Sequence, residues 1–245
     1  MSDIHANYQA LAACLEHAQS QGSQQLAFLG DLVGYGADPG QVLQCIMDLV
    51  SKGAVVIKGN HDEMAVNPSP SAQTLGNSTA LWTHQQLSSQ QCSFLSTLPM
   101  SHEFGEILLV HASADAPEKW RYVEDQRGAT LSLDAATCRP GIRYVFGGHV
   151  HFQCLYYRGA VGDLMKFEPT AGVAIPLPRH RYWLSTIGSV GQPRDGDNRA
   201  MYAIFDTDGR KLTFHRVPYR YQEAASAIRK AGLPEFFAQR LELGK

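Results

Sequence analysis

Residues 26–62, LAFLGDLVGYGADPGQVLQCIMDLVSKGAVVIKGNHD, predict a strand, a helix and a second strand in succession. The apolar run 26–29 stops at Gly30-Asp31, and 54–57 is a second such run. Between them, residues 39–52 carry apolar side chains at helical spacing. Alternating strands and helices favour a largely parallel sheet, in which ligands gather outside the carboxyl ends of the strands.

The rest of the chain extends this α/β pattern. We expect a helix over 7–21, two short helices within 71–98, and strands over 106–110 and 143–146. Further on, short extended runs at 155–158, 182–187, 201–205 and 212–217 precede a helical tail over 222–243, broken by Gly232 and Pro234. Asp208-Gly209 is a hairpin signal. Without repeats or a linker, residues 1–245 are best counted as one domain.

Five short blocks rich in metal ligands follow one another along the chain. They are Asp3-Ile4-His5, Gly30-Asp31, Gly59-Asn60-His61-Asp62, His111 and Gly148-His149-Val150-His151. Buried imidazoles and carboxylates cost free energy unless they are paired or bound to metal. Two metal ions would satisfy all of them, and we therefore expect a dinuclear metal centre.

Seven side chains in these blocks are candidate metal ligands: Asp3, His5, Asp31, Asn60, His111, His149 and His151. The two oxygens of Asp31 could bridge a pair of ions. Mixed nitrogen and oxygen ligation without thiolate fits Mn, Fe, Zn, Co or Ni and does not choose among them. His61 is best placed as a general acid for the leaving group, a role worth typically ~10²–10⁴-fold in rate.

The order of these blocks resembles the calcineurin-like metallophosphoesterase superfamily from Asp3 to His151. The stretches GDLVGYGADP (30–39) and GSVGQPRDGD (188–197) are similar to a bacterial branch of it. The resemblance implies two β-sheets flanked by helices, an α/β/β/α sandwich. It implies one metal held by Asp3, His5, Asp31 and His151, a second held by Asp31, Asn60, His111 and His149, and catalytic roles for His61 and Asn60.

Two departures from the family pattern stand out. Protein Ser/Thr phosphatases of this superfamily continue the GD block with D-R-G, whereas Asp31 is followed here by Leu-Val-Gly-Tyr-Gly. Family members also have an apolar strand before D-x-H, whereas Met1-Ser2 alone precede Asp3. We expect the usual first strand to be lacking, a slot beside the site, and weak metal binding at Asp3 and His5.

Tyr35 and Arg194 are candidate substrate-binding residues. Tyr35 lies between two glycines after the GD block, and Arg194 lies in a glycine-containing loop. The alternatives are that Tyr35 is a turn aromatic covering the sheet and that Arg194 pairs with Asp195 or Asp197.

The composition restricts the class of function. The chain is 44% hydrophobic and 18% charged with a net charge of −2, so it has no overall basic field and nucleic acid is an unlikely partner. Five cysteines without a C-x-x-C pair favour a reducing compartment, and neither a signal peptide nor a membrane-spanning run is evident. We expect a cytoplasmic, metal-dependent phosphoesterase for a monoester or diester of a small molecule or nucleotide. A non-catalytic binding scaffold and a nuclease are the alternatives, and the oligomeric state stays open.

Overall fold

The computed structural model describes residues 1–69, 75–159 and 162–245. Its helices are α1 (Tyr8–Ser20), α2 (Pro39–Val50), α3 (Asn60–Val66), α4 (Leu75–Gln86), α5 (Ser89–Thr97), α6 (Gln126–Thr137), α7 (Tyr221–Lys230) and α8 (Glu235–Leu243). Its strands are β1 (Ala27–Leu29), β2 (Val55–Ile57), β3 (Ser101–Phe104), β4 (Ile107–Val110), β5 (Tyr144–Gly147), β6 (Gln153–Arg158), β7 (Met165–Phe167), β8 (Ala174–Pro176), β9 (Tyr182–Ile187), β10 (Ala200–Asp206) and β11 (Lys211–Val217). None of the described helices has the length and apolar character needed to cross a membrane.

The predicted strand–helix–strand unit is confirmed, since β1 and β2 are parallel and joined through α2. Local signals set the ends of the neighbouring helices. The side chain of Asn7 accepts a hydrogen bond from the backbone N–H of Ala10 and caps α1. Pro39 is the first residue of α2. A backbone N–H at this position has no partner within the helix, so its absence in proline is not destabilising.

The strands form two layers packed face to face. One is a six-stranded sheet in the order β3-β4-β5-β9-β6-β7, with β4, β5 and β9 parallel. The other contains β1-β2 and the antiparallel group β10-β11-β8. Leu29 and Phe214 of the second layer share one apolar core with Leu109, Phe146 and Trp183 of the first.

Helices cover both outer faces. Leu11 of α1 and Leu43 of α2 pack with Phe28 of β1, whereas Leu133 of α6 packs with Val145 of the six-stranded sheet. The expected α/β/β/α sandwich is therefore confirmed. Its parallel strands deliver their carboxyl ends to one edge, which positions the site.

Several elements differ from the sequence expectations. The Gly59–Asp62 block does follow β2 as predicted, but it also begins α3, which we did not predict. The helix α6 and the short edge strands β3, β7 and β8 were likewise not predicted. Two helices were expected within 71–98, and α4 and α5 confirm them, while residues 71–74 lie outside the described part of the chain.

Candidate metal centre

All five blocks meet at one edge of the sandwich. Asp31 follows β1, Asn60 and His61 follow β2, His111 follows β4, and the two histidines of the last block follow β5. Asp3 and His5 lie just before α1, joined to the Asp31 loop by backbone hydrogen bonds. The seven predicted ligand residues are all buried.

The backbone is held in an unusual conformation at these residues. Five of the seven predicted ligands have left-handed backbones, with φ from 49° to 69°: Asp3, His5, Asp31, His149 and His151. Such a conformation costs on the order of 1–3 kcal/mol for a residue other than glycine and persists where the surroundings impose it. Here the N–H of Asp3 donates to Gly30 O at 3.0 Å and that of His5 to Asp31 O at 2.9 Å.

Two glycines of the motifs are required by close packing. A Cβ at Gly59 would lie 2.2 Å from the backbone nitrogen of Asp31, and one at Gly148 would lie 1.9 Å from Ser2 Oγ. Real Cβ atoms are not found at such distances, so a side chain at either position would push the Asp3 or Asp31 loop out of place.

Four of the histidines are oriented by backbone carbonyls. Nδ1 lies 3.3 Å from Val33 O in His5, 2.7 Å from Leu29 O in His111 and 2.6 Å from Gln192 O in His151. In His149 it is Nε2 that lies 3.0 Å from Trp120 O. A ring nitrogen facing a carbonyl carries the proton, so the opposite nitrogen of each neutral ring is a free acceptor.

The free acceptors of His5 and His151 face each other, with their Nε2 atoms 3.1 Å apart. His111 Nε2 lies 3.2 Å from Asn60 Oδ1, an acceptor that either a proton on the ring or a metal ion would satisfy. Acceptors at this distance repel unless a proton or a metal ion lies between them. Burial and then the neighbouring His151 lower the pKa of His5 well below its usual range, which disfavours the proton. The donor set therefore fits a metal ion.

Asp31 connects two parts of the cluster through a single oxygen. Its Oδ2 lies 3.7 Å from His5 Nε2 and 3.3 Å from His111 Nε2, while Oδ1 accepts the backbone N–H of His61 at 2.8 Å. Three groups of side chains each bring their ligand atoms within 4.8 Å of one another: Asp3, His5 and His151; His5, Asp31 and His61; and Asp31, His111 and His149.

Burial and neighbouring charges both shift the pKa values of the side chains in the cluster. Burial alone would raise the pKa of Asp31, but the His111 and His61 rings outweigh it and hold the value well below the usual range. Burial opposes a charged His111, yet the Asp31 carboxylate raises the pKa of His111 to about 9. Burial lowers the pKa of His149 to about 4. The Asp31 carboxylate thus stays ionised and attracts positive charge, as a divalent cation site requires.

His61 differs from the other four histidines. No backbone carbonyl orients its ring among the described contacts, and the ring lies against Tyr35 and His5 with centroid distances of 4.3 and 5.0 Å. Burial lowers the pKa of His61, opposed by the Asp31 carboxylate. His61 therefore lies beside the predicted ligands but lacks the carbonyl contact that the other four histidines share.

Asp62 follows His61 in the chain, but its carboxylate does not contact the His61 ring through a hydrogen bond. It instead binds backbone: Asp62 Oδ1 accepts from Leu32 N–H at 2.8 Å and Val33 N–H at 3.3 Å, and Oδ2 accepts from Gly59 N–H at 2.9 Å. Burial and the nearby Asp31 raise the pKa of Asp62 to about 7. Asp62 therefore fastens the two ligand loops to each other.

Tyr35 and Arg194 lie together beside the cluster. The Tyr35 ring is 4.6 Å from that of His5, and the Arg194 guanidinium lies 5.8 Å from the Tyr35 centroid. The alternative pairing of Arg194 with Asp195 or Asp197 is wrong: Asp195 pairs with Arg216, and Asp197 with Arg199 and Arg216. Arg194 donates instead to Gln192 Oε1, from Nη2 at 2.9 Å.

Other residues beside the cluster were not predicted from the sequence. Arg240 of α8 donates to the same Gln192 Oε1 at 3.0 Å. On the other side, Tyr122 stacks on His149 with a centroid distance of 4.0 Å, next to Trp120. The Trp-Arg-Tyr sequence at 120–122 is a compact aromatic signal that could have indicated the second wall; nothing local marks Arg240.

Comparison with known proteins agrees with this geometry. The family model for calcineurin-like phosphoesterases matches residues 1–153. An uncharacterized protein of Methanocaldococcus jannaschii is 32% identical over 100% of this chain and 97% of its own length. A solved metallophosphoesterase from Sphaerobacter thermophilus is 33% identical, with a TM-score of 0.86 over 100% of this chain and 98% of that one. A hypothetical protein from Pyrococcus horikoshii OT3, 20% identical, shares the fold with a TM-score of 0.77 over 100% and 97% of the two chains.

Proposed function

Because the chain belongs to the calcineurin-like phosphoesterase family, we propose that it hydrolyses a phosphomonoester or phosphodiester of a small molecule with two divalent metal ions. One observation carries the proposal: the buried Asp31 Oδ2 atom faces the Nε2 atom of His5 on one side and that of His111 on the other. A single carboxylate oxygen shared in this way is suited to bridging.

The residues divide into two ligand sets around Asp31. Asp3, His5 and His151 complete one set, and Asn60, His111 and His149 complete the other. Divalent ions at these positions would supply Lewis acidity and lower the pKa of water. The carbonyl contacts of the four histidines keep their ligating nitrogens directed at the cluster without further reorganisation.

His61 serves in this proposal as the proton donor to the leaving oxygen. The ring is buried beside His5 and Asp31 and is covered by Tyr35. Burial lowers its pKa, whereas the Asp31 carboxylate favours the imidazolium. An approaching phosphate anion would favour the protonated ring in the same way, so substrate binding and proton supply support each other.

Arg194 and Arg240 are proposed to bind the substrate anion. Two guanidiniums donate to one amide oxygen, that of Gln192, and within the described part of the chain neither forms an ion pair with a carboxylate. Burial, and then the neighbouring Arg194, lower the pKa of Arg240. The two guanidiniums place two positive charges side by side next to Tyr35. A substrate phosphate or carboxylate beside Tyr35 would neutralise these charges.

The test is hydrolysis by the full chain, freed of metal and reloaded separately with Mn, Zn, Fe, Co or Ni. We expect at least one metal to support hydrolysis of p-nitrophenyl phosphate or bis-p-nitrophenyl phosphate, and a chelator to abolish it. A chain that is inert with every metal and every ester, nucleotides included, would favour the binding scaffold instead.

The proton-donor role is tested by leaving-group dependence. His61→Ala should lower kcat for an alkyl ester by ~10²–10⁴-fold, and much less for the p-nitrophenyl ester, whose leaving group needs no proton. His180→Ala, at an exposed position away from the cluster, is the matched control. Equal losses on both esters would remove His61 from this role.

A further inference from the structure

Tyr122 is an exposed aromatic residue that lies against a buried predicted ligand. Its ring stacks on that of His149, with the centroids 4.0 Å apart and the ring planes inclined by 23°. His149 is buried, whereas Tyr122 is 54% exposed. Because His149 covers one face of the Tyr122 ring, the opposite face is open to solvent.

Trp120 lies beside Tyr122 and contacts the same group of predicted ligands. The backbone O of Trp120 lies 3.0 Å from His149 Nε2, and its ring stands edge-on to that of His111, with the centroids 5.8 Å apart. We call Trp120 and Tyr122 the aromatic wall. It contacts both histidines of one proposed ligand set.

The segment that carries the aromatic wall is anchored to the rest of the chain. Val123 is buried in the apolar cluster shared by α6 and the six-stranded sheet, and the Arg121 guanidinium pairs with Asp115. Trp120 has a left-handed backbone with φ of 50°. That conformation is unfavourable for a residue other than glycine and persists where the surrounding structure imposes it. The aromatic wall is therefore held in a defined position.

The exposure of the wall indicates where a bound ester would leave the cluster. The seven predicted ligands are buried, so the group esterified to a phosphate at these ligands must extend towards solvent. Tyr35, Trp120 and Tyr122 each contact the ring of a predicted ligand. Tyr35 is only 9% exposed and Trp120 is half-buried, against 54% exposure for Tyr122. Tyr122 is therefore the most accessible of these aromatic surfaces for that group.

Tyr122 is also suited to lie near an anion. Burial raises the pKa of its hydroxyl, and among the neighbouring charges Arg194 lowers the pKa and Asp31 raises it. The phenol is therefore neutral at physiological pH, and its ring does not repel a phosphate group.

The stacking order indicates the length of the group that reaches the open face. A planar ring on that face would be separated from His149 by the Tyr122 ring, so its centroid would lie roughly 8 Å from that of His149, twice the observed spacing. A nucleotide has a ribose between its phosphate and its base and can span this gap, whereas a phenyl group bonded to the phosphate oxygen stays close to the phosphorus. Stacking on an aromatic side chain suits every nucleobase, because each has a π face.

We propose that the open face of Tyr122 stacks on the base of a nucleotide whose phosphoryl group lies at the metal ligands. The inference rests on the proposed phosphoesterase function and narrows its substrates to nucleoside phosphoesters. Tyr122 is then a substrate-binding residue, and the contact recognises a base without selecting among bases.

The probes are two phosphonates in which a C–P bond prevents hydrolysis: the 5′-phosphonate of 5′-deoxythymidine, and ethylphosphonate. Both carry the same anionic group and differ in the ribose and base. Calorimetry with the metal-loaded full chain measures their dissociation constants. We expect the native chain to prefer the nucleoside phosphonate by roughly 5- to 150-fold, and Tyr122→Ala to lose most of this preference.

Two further variants control for other effects of the substitution. Tyr122→Phe keeps the ring and should retain the preference. Phe104→Ala removes an aromatic side chain of matching exposure, 53%, from β3 and should leave the preference unchanged.

A second readout reports the stack directly. In the chain loaded with Zn, which is diamagnetic, the thymine protons of the bound phosphonate should shift upfield in the NMR spectrum, because the ring current of Tyr122 shields them. The shift should vanish in Tyr122→Ala. Binding of the nucleoside phosphonate to the native chain without such a shift would overturn the proposal.

Equal binding of the two phosphonates by the native chain, or a preference that survives in Tyr122→Ala, would reject the nucleotide site. The phosphoesterase function would still stand if the chain hydrolyses p-nitrophenyl esters. A loss of preference in Tyr122→Phe as large as in Tyr122→Ala would assign the effect to the hydroxyl and reject stacking. A chain that binds neither phosphonate and hydrolyses no ester with any metal would contradict both proposals.

Discussion

The Nε2 atoms of His5 and His151 face each other at 3.1 Å, and the Nδ1 atom of each ring is occupied by a backbone carbonyl. These rings come from opposite ends of the ligand series, 146 residues apart. Two acceptors are thus brought together in the protein interior, where repulsion is not screened by water. The contact makes sense as a pair of ligands for one ion.

Variants that each lack one predicted ligand should therefore distinguish the two metal sites by their metal content. We expect His5→Ala to lower the metal content by one ion per chain, His111→Ala to remove the other, and Asp31→Asn to weaken both, because Asp31 faces both sets. Metal content after dialysis is measured by elemental analysis. His84→Ala is the control, since the His84 ring binds Ala65 O outside the cluster. Equal losses in His5→Ala and Asp31→Asn would contradict a bridging carboxylate.

Cysteine reactivity should report the packing of α1. Burial raises the pKa of the Cys14 thiol to about 12, whereas Cys138 is exposed. Thiolate is the reactive form, so iodoacetamide at pH 8 should modify Cys138 and leave Cys14 intact. Raising the pH to 9 should still leave Cys14 unmodified. Mass spectrometry of digests locates the label.

Labelling in denaturant is the control for this experiment, because unfolding returns Cys14 to its ordinary pKa and exposes it. Modification of Cys14 in the native chain at the rate of Cys138 would mean that α1 does not pack as described.

The candidate ligands could be predicted from the sequence because each lies in a short motif, and all but Asp3 and His5 directly follow a strand or lie in the loop just after it. The periodicity around α2 and the apolar runs of β1 and β2 are equally local. The helix α3 was missed although its signal is present: Asp62, at the third helical position, accepts the N–H of Gly59.

Other features depend on contacts between distant segments. Arg240 reaches Gln192 across 48 residues, and no pattern near either residue indicates the contact. The stacking of Tyr122 on His149 is likewise a product of folding. Short edge strands such as β7 and β8, of three residues each, gain their conformation from pairing partners rather than from their own sequence.

Asp62 should be required for stability. Asp62→Asn replaces a carboxylate oxygen by an NH₂ group, so one of the N–H donors from Leu32 or Gly59 loses its acceptor. A buried donor left unsatisfied costs about 1–3 kcal/mol, and we expect the free energy of unfolding to fall by that amount. Urea denaturation measures it. Asp48→Asn, on the outer surface of α2, should change stability by less than about 0.5 kcal/mol. Comparable stability of the two variants would show that Asp62 does not hold the loops.

Arg194 should control substrate affinity more than the chemical step. The guanidinium lies over Tyr35 and is oriented by Gln192 Oε1, beside the cluster rather than within it. A hydrogen bond to a charged group is worth about 1.5–3 kcal/mol, so Arg194→Ala should raise KM about 10- to 100-fold with a smaller change in kcat. Steady-state kinetics on whichever ester the metal-loaded chain hydrolyses measures both constants.

Arg199→Ala is the matched control for Arg194→Ala. Arg199 lies in the same loop, but its guanidinium pairs with Asp197 at the surface. A general disturbance of the loop would affect both variants, whereas loss of a phosphate ligand would affect Arg194→Ala alone. Arg240→Ala should resemble Arg194→Ala, because both guanidiniums donate to one oxygen of Gln192. If KM rises equally in Arg199→Ala, the guanidinium pair does not bind the substrate.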